Sequence, residues 1–518
     1  MRGPCVTLMI SVALISQDDP TTPPLTYNAQ NCPPKMAPSL DERSDSDADQ
    51  ASHQDDDDLG DSTDEPSSNH RVYSQRTLRW MRLGCILLNF MVEMFDQIII
   101  VPQLALMEKS VCNSYYSAKL STAALDCKAE PVQHKLATLR SWKALFECIA
   151  VLLVSIPLGA MSDRFGRKGV LLASLVASSL AVLWTIFICL NDFPTNLVWL
   201  SAVFFLFGNL SIANTTIYTM AADTSDPSNR SQYFYYLYST FLVTELLAPA
   251  ITSATMDQHI LIPFIVGFAF LLFILPVLII MPETLMVKEI YNRESRKDTR
   301  PLLATETIDA RKASDETVES FKVMLGQRRI IMAMGILFIG ALRPAMVSVL
   351  FQYAMTRFDW PLSQTAMMVS EIAIVNIVIF LVVLPQLVSW LSTRYSVGGQ
   401  SINYTIVLGS LVILAVGALV IGSATSTAIL HLGLLVFAAG YGTRVAVFSL
   451  LADWIHDKIR ARTLATTQVV ENLGKLCAEP LLLKAYAASL PLTGFWRGLP
   501  FFLGAGVFTV SAIGWLLQ

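Results

Sequence analysis

Charge is scarce in this chain. Only 15% of its 518 residues are Asp, Glu, Lys or Arg, against about 25% in soluble domains, and 53% are hydrophobic. That balance excludes an ordinary soluble fold and points to a polytopic membrane protein. No Gly-x4-Gly-Lys-Ser/Thr loop occurs, so nothing cradles the phosphates of ATP, and uphill work must draw on a gradient, where one charge crossing yields about 2.3 kcal/mol per 100 mV. No nucleophile stands at a useful spacing from a base, which argues against an enzyme. The eight cysteines show no CxxC or Cys/His spacing, so neither a metal nor any other cofactor is expected. No nucleic-acid partner is expected either.

In place of these the chain has apolar runs of bilayer length, a span needing about 20 residues at helical rise. Twelve are read, the first near 81–107 and the last near 497–517, and the long break at 282–328 divides them six and six. The expected organisation is a tail over 1–79, a first six-helix half over 80–282, a central loop over 283–328 and a second half over 329–518. The fold class is therefore all-α, with twelve transmembrane helices. Formal net charge is −4, yet residues 41–65 alone carry −11, which leaves +7 for the rest. The acidic, Pro- and Ser-rich tail cannot bury enough surface to fold and is read as disordered. Its opening run CVTLMISVALIS has signal-peptide length, but a cleaved signal conflicts with the helix count. Residues 1–35 are thus an uncleaved extension, or lie upstream of a start at Met36.

Orientation follows from Lys and Arg. The tail end (Arg71, Arg76, Arg79, Arg82), the 162–167 turn, the 222–232 turn, the central loop and the 452–463 turn are rich in them, and the connections between helices 3 and 4, 5 and 6, and 9 and 10 have none. Both termini are therefore expected in the cytoplasm. Cys112 and Cys127 fall in the polar segment after helix 1, on the outer side, where oxidation is permitted and a disulfide between them is a candidate.

The halves repeat. ADTSDPSNR after helix 4 and ADWIHDKIR after helix 10 place Asp223 before Arg230 and Asp453 before Arg460 at one interval, offset by 230 residues. Pro157 and Pro385 differ by nearly the same amount. Internal repeats of this kind mark secondary transporters. Between helices 2 and 3 the chain reads GAMSDRFGRK. This resembles the signature of the major facilitator superfamily, a glycine, three residues, then Asp-Arg-x-Gly-Arg-Arg/Lys, and MPETL at 281–285 is similar to the Pro-Glu-Thr that follows helix 6 in many members. The resemblance, over about 80–518, implies a two-state carrier. It implies that Gly159 permits close helix contact and that Asp163 meets the N-terminal end of helix 11 and a neighbouring arginine. Together with Arg164, Gly166, Arg167 and Lys168 these would form a latch on the outward-open state. A solvated turn whose bases only fix topology is the alternative. The acidic leader and composition are similar to fungal drug and metabolite exporters of the superfamily. Their helix 5 carries a glycine-rich Gly-Pro motif; TELLAPAITSAT keeps Pro249, but small residues replace the glycines, which leaves the antiport assignment open.

Ionisable groups inside spans are costly and tend to line cavities. Helix 1 carries Glu93 and Asp96 on one face, helix 5 Glu245, helix 7 Arg343, helix 8 Glu371 with Asn376, and helix 11 Glu471, Lys475 and Glu479 at spacings of four. The last row can pair internally. Arg343 and Glu245 stand most alone and are the first candidates for cargo or proton binding, since a carboxylate withdrawn from water holds its proton more tightly. The expected partners are a small-molecule substrate, protons and the lipid bilayer, with the protein a monomer. The expected activity is proton-coupled efflux of an amphipathic metabolite or toxicant. Alternatives are a proton-coupled importer of an anionic nutrient, which Arg343 would hold, and a transport-dead sensor. The cell membrane is the expected location, with the vacuolar membrane as the alternative.

Overall fold

The computed structural model describes residues 75–118, 126–191, 193–225, 230–285, 327–395, 399–454 and 457–517. The expectations for the acidic tail and for most of the central loop lie outside the described residues. Among the latter there is no strand. In chain order the long helical elements are α1 (Gln75–Ala118), α2 (Glu130–Phe165), α3 (Arg167–Leu190), α4 (Thr195–Asp223), α5 (Arg230–Met256) and α6 (Ile262–Ile280), then α7 (Arg328–Phe358), α8 (Leu362–Leu391), α9 (Gly399–Ser423), α10 (Thr427–Leu451), α11 (Asp457–Ser489) and α12 (Gly494–Leu516). Pro131, Pro263 and Pro500 sit in first turns, where a missing N–H costs nothing. The Asn209 side chain accepts from Ile212 N and starts the long segment of α4.

Eleven of these helices are long and apolar enough to cross a membrane. The one that fails is α11, whose 33 residues include Glu471, Lys475, Glu479 and Lys484. A helix that turns one face to a polar cavity need not be apolar all round. The first helix also departs from expectation. It runs 44 residues, so the segment after residue 107 read as a polar loop is helical through Cys112. Cys112 is bonded to Cys127, with Cα atoms 5.2 Å apart. In α8 a π turn over Ile379–Val383 precedes Pro385, which has no N–H to return to the preceding turn.

Within the first half α1 packs against α4, α5 and α6, and within the second α9 packs against α10 and α12. Two pairs, α2 with α11 and α5 with α8, join the halves. The core shows where they meet. At the end that carries the Cys112–Cys127 bond, Phe351, Met355 and Leu362 of the second half merge into one cluster with Phe95, Val111 and Leu136 of the first. At the opposite end, which carries the 163–168 turn, the cluster of Met81, Leu88, Leu171 and Ile217 contains first-half residues alone. In α2 no residue from Leu152 to Met161 is buried, and in its repeat partner α8 none from Ile377 to Leu391. The halves are thus closed together at the disulfide end and parted at the turn end.

Candidate functional site

Arg167 organises the turn between α2 and α3. Its guanidinium lies 2.6 Å from Asp163 Oδ1 and donates to Asp223 Oδ2 at 3.1 Å and to Ser162 Oγ at 3.1 Å. One side chain thereby ties α2 and α3 to the end of α4. Arg167 and Asp223 are 3% and 5% exposed, Asp163 62%. Glu283, from the Pro-Glu-Thr segment, accepts from the backbone N–H of Arg167 at 2.8 Å and of Lys168 at 3.4 Å. A carboxylate there satisfies free helical N–H groups and meets the positive end of the α3 dipole. The Lys168 ammonium donates to Leu278 O at 2.6 Å, and Arg164 lies over the Phe165 ring.

Gly166 joins the two helices at φ 109°, and a Cβ on it would sit 3.1 Å from Glu283 Oε2. Both facts require glycine. Gly166→Ala is expected to cost about 1–3 kcal/mol of backbone strain and to displace Glu283, lowering Tm in detergent; an unchanged Tm would show that the turn tolerates a side chain. Gly159 has no neighbour within 4 Å of where its Cβ would be. The close helix contact implied for it is absent, because the halves are parted at this end. Asp163 pairs with Arg167, and the side chains over the first ten residues of α11 lie outside the described residues, as do those of Arg230, Asp453 and Arg460.

A cavity of about 350 Å3 lies between the halves. Glu93, Tyr218 and Tyr238 line it from the first half, and Arg343, Arg444, Glu471 and Lys475 from the second. Arg343 is held at a crossing point. It donates to Asn376 Oδ1 at 2.9 Å, and Asn376 Nδ2 donates to Glu245 Oε2 at 3.0 Å. The amide of α8 therefore bridges the two charges, one from each half. The guanidinium also stands 4.8 Å from the Tyr441 ring centroid and 5.9 Å from that of Phe437, while its buried Nε has no hydrogen-bond partner. Tyr441 meets Tyr238 hydroxyl to hydroxyl across the halves, and Phe380 from the π turn packs on Tyr238 with centroids 5.2 Å apart. These rings stand between Arg343 and the parted end.

Glu93 is 8% exposed and accepts from Asn214 Nδ2 at 2.8 Å. Lys475 stands close enough for its charge to act on both Glu93 and Asp96. The expected internal ladder on α11 is divided among other partners: Glu471 takes a two-pronged contact from Arg444 at 2.7 and 3.0 Å, and Glu479 accepts from Ser348 Oγ at 2.9 Å. Glu371 lies apart from the cavity and pairs with His431 at 2.7 Å. The structure therefore brings Glu93, Arg343 and Glu471 to one wall, sets Glu245 and Asp96 behind it, and leaves Glu371 elsewhere. The sequence reading passed over Arg444, Asn214, Tyr238 and Tyr441. Arg444 sits within an apolar helix, where its charge was a usable signal; the others had none.

At the disulfide end a polar seam closes the halves. Arg140 of α2 donates to Gln352 Oε1 and Ser348 Oγ of α7, both at 2.6 Å. Gln352 reaches Gln133 at 3.3 Å, and the Tyr486 hydroxyl of α11 donates to Gln352 O at 3.1 Å. Arg140 was not among the candidates read from sequence.

Known proteins share this arrangement. Residues 87–443 match the Major Facilitator Superfamily. The chain is 26% identical over 423 residues to the MFS efflux pump atnC of Emericella nidulans, covering 78% of this chain and 81% of that protein. It is 26% identical over 443 residues to the efflux pump ustT of Aspergillus flavus, with 82% and 85% covered. The class H tetracycline resistance protein of Pasteurella multocida is 25% identical over 377 residues, with 71% and 84% covered. Among solved structures, the nucleoside transporter NupG superposes with a TM-score of 0.59 at 12% identity, over 84% of this chain and 99% of that one. The human organic anion transporter MFSD10 gives 0.51 at 16%, over 86% and 99%. These two carry the fold alone. With the family matched across more than half its length, and with a charged cavity between two packed helical halves, the chain belongs to the Major Facilitator Superfamily and is a membrane transporter, not an enzyme.

Proposed function

We propose that this transporter exports a small amphipathic organic compound in exchange for protons, by alternating access to the cavity between two six-helix halves. The observation that carries the reading is the make-up of that cavity: Arg343, Lys475 and Glu93 face Tyr218, Tyr238, Phe241 and Tyr441 in one enclosure. Such a wall suits cargo with one polar end and a flat apolar body, since rings offer stacking area and cations a charge-assisted hydrogen bond. Relatives named as efflux pumps support the direction. Glu93, Asp96 and Glu245 are the carriers of the coupling proton, and the Gly159–Lys168 motif is the latch. In this reading α11 is the twelfth span, the turn end and both termini face the cytoplasm, and the disulfide end faces outside a cell membrane, where oxidation is permitted.

A second reading, import of an anionic nutrient, is favoured by one observation, the unpartnered Nε of Arg343. One experiment separates the two. Metabolites inside cells and in the medium are compared, untargeted, between cells lacking the protein and cells overproducing it. Export predicts an amphipathic compound that builds up inside the deficient cells. A solute that those cells fail to deplete from the medium would replace export with import.

A further inference from the structure

A second, smaller cavity of about 70 Å3 lies at the disulfide end, over the closed seam. Lys128 and Glu130 line it from the first half, and Arg357, Tyr486, Ser489 and Arg497 from the second. Its charges do not balance. Lys128 is matched by Asp359, 2.5 Å away, and the Glu130 side chain is exposed at the start of α2. Arg357 and Arg497 are half-buried, and among the described residues neither has a carboxylate within 4.0 Å. Arg497 uses only Nε on the protein, donating to Leu492 O at 3.2 Å. The charges of both arginines reach the Tyr353 hydroxyl, so the two guanidiniums converge on one place. Two like charges partly withdrawn from water repel each other unless an anion lies between them.

We propose that this bowl is a binding site for a small oxyanion, a carboxylate, sulfate or phosphate group, which clamps Arg357 and Arg497 beside Lys128 and holds the disulfide end shut. Planar guanidinium forks match such a group in pairs. The volume is a fifth of that of the central cavity, enough for one head group and too little for an organic cargo. The walls come from both halves and separate when this end opens. An anion that binds only the closed arrangement therefore stabilises it by mass action and biases the carrier toward the state described here. The site is independent of the cargo and of the direction of transport.

Two sources supply such a group, a free anion in solution or the phosphate of a lipid. The test titrates inorganic phosphate, at constant ionic strength and pH, against the Tm of the full-length protein in nanodiscs of neutral lipid, and repeats it in nanodiscs containing phosphatidic acid. A saturating rise in Tm in neutral discs, lost in Arg357→Gln/Arg497→Gln, assigns the site to a free anion. A Tm already raised in phosphatidic acid, insensitive to added phosphate and lost in the same variant, assigns it to lipid. A rise that is linear in phosphate and equal in the variant, or no rise in either disc, overturns the proposal. If the glutamine pair does not fold, Arg357→Lys/Arg497→Lys is read instead; keeping charge but losing the forks, it should need about tenfold more phosphate for the same shift, and an unshifted titration overturns the site.

Discussion

Arg343→Gln is expected to abolish transport while the protein remains in its membrane. The guanidinium is fully enclosed, shares its Asn376 contact with Glu245, and lies against Tyr441 at the cavity wall. Truncating one partner of a buried, hydrogen-bonded charge pair costs roughly 2–5 kcal/mol, at least about thirtyfold in binding of the group it holds. Arg343→Lys should fall between, keeping charge but losing the planar fork. The measurement is cargo retained by deficient cells that express each variant at equal membrane abundance. Wild-type export by Arg343→Gln would remove this residue from the cargo path and leave Glu93 and Lys475 as the polar contacts.

The largest stability effect is expected at Arg167. Its alanine variant leaves Asp223 buried without its guanidinium, and breaking a buried pair from one side costs about 3–5 kcal/mol. Asp163 contributes little to that figure, because a solvent-exposed partner is worth about 0–1 kcal/mol. Replacing both members by apolar residues, Arg167→Met with Asp223→Leu, should recover most of the lost Tm without recovering transport, because packing can substitute for a buried ion pair but not for a switch. Tm in detergent and export in cells, measured on the same three proteins, check both halves of this expectation. An Arg167→Ala variant as stable as wild type would make the turn a topological marker only.

The parts of this account that depend on neighbouring residues were legible in sequence. Apolar runs placed the helices, and their polar breaks the division into halves. GAMSDRFGRK announced a structured turn, although not that Glu283, 116 residues beyond Arg167, closes it. Contacts between distant helices were not legible. Spacing four on α11 suggested that Glu471 and Lys475 pair with each other, but α11 runs along the seam and each residue faces a different neighbour. Glu471 therefore meets Arg444 and Glu479 meets Ser348, 131 residues away. Likewise Asn376 and Glu245, separated by 131 positions, meet only because α5 and α8 cross between halves. Helix 1 ran past its expected end because a helix needs backbone bonds, not apolar side chains, to continue into water.

The central claim is that the halves rock about the cavity, so that one end opens as the other closes. Two distances test it directly in a background where Cys85, Cys148, Cys189 and Cys477 are replaced. Spin labels at Met161 and Leu387 report the turn end, and labels at Gln258 and Phe495 the disulfide end; all four positions are exposed. Arg140→Ala removes the main polar tie of the closed seam. The account predicts that this substitution lengthens the Gln258–Phe495 distance and shortens the Met161–Leu387 distance in the same molecules. Lengthening at the disulfide end with no change at the turn end, or lengthening at both, would contradict it.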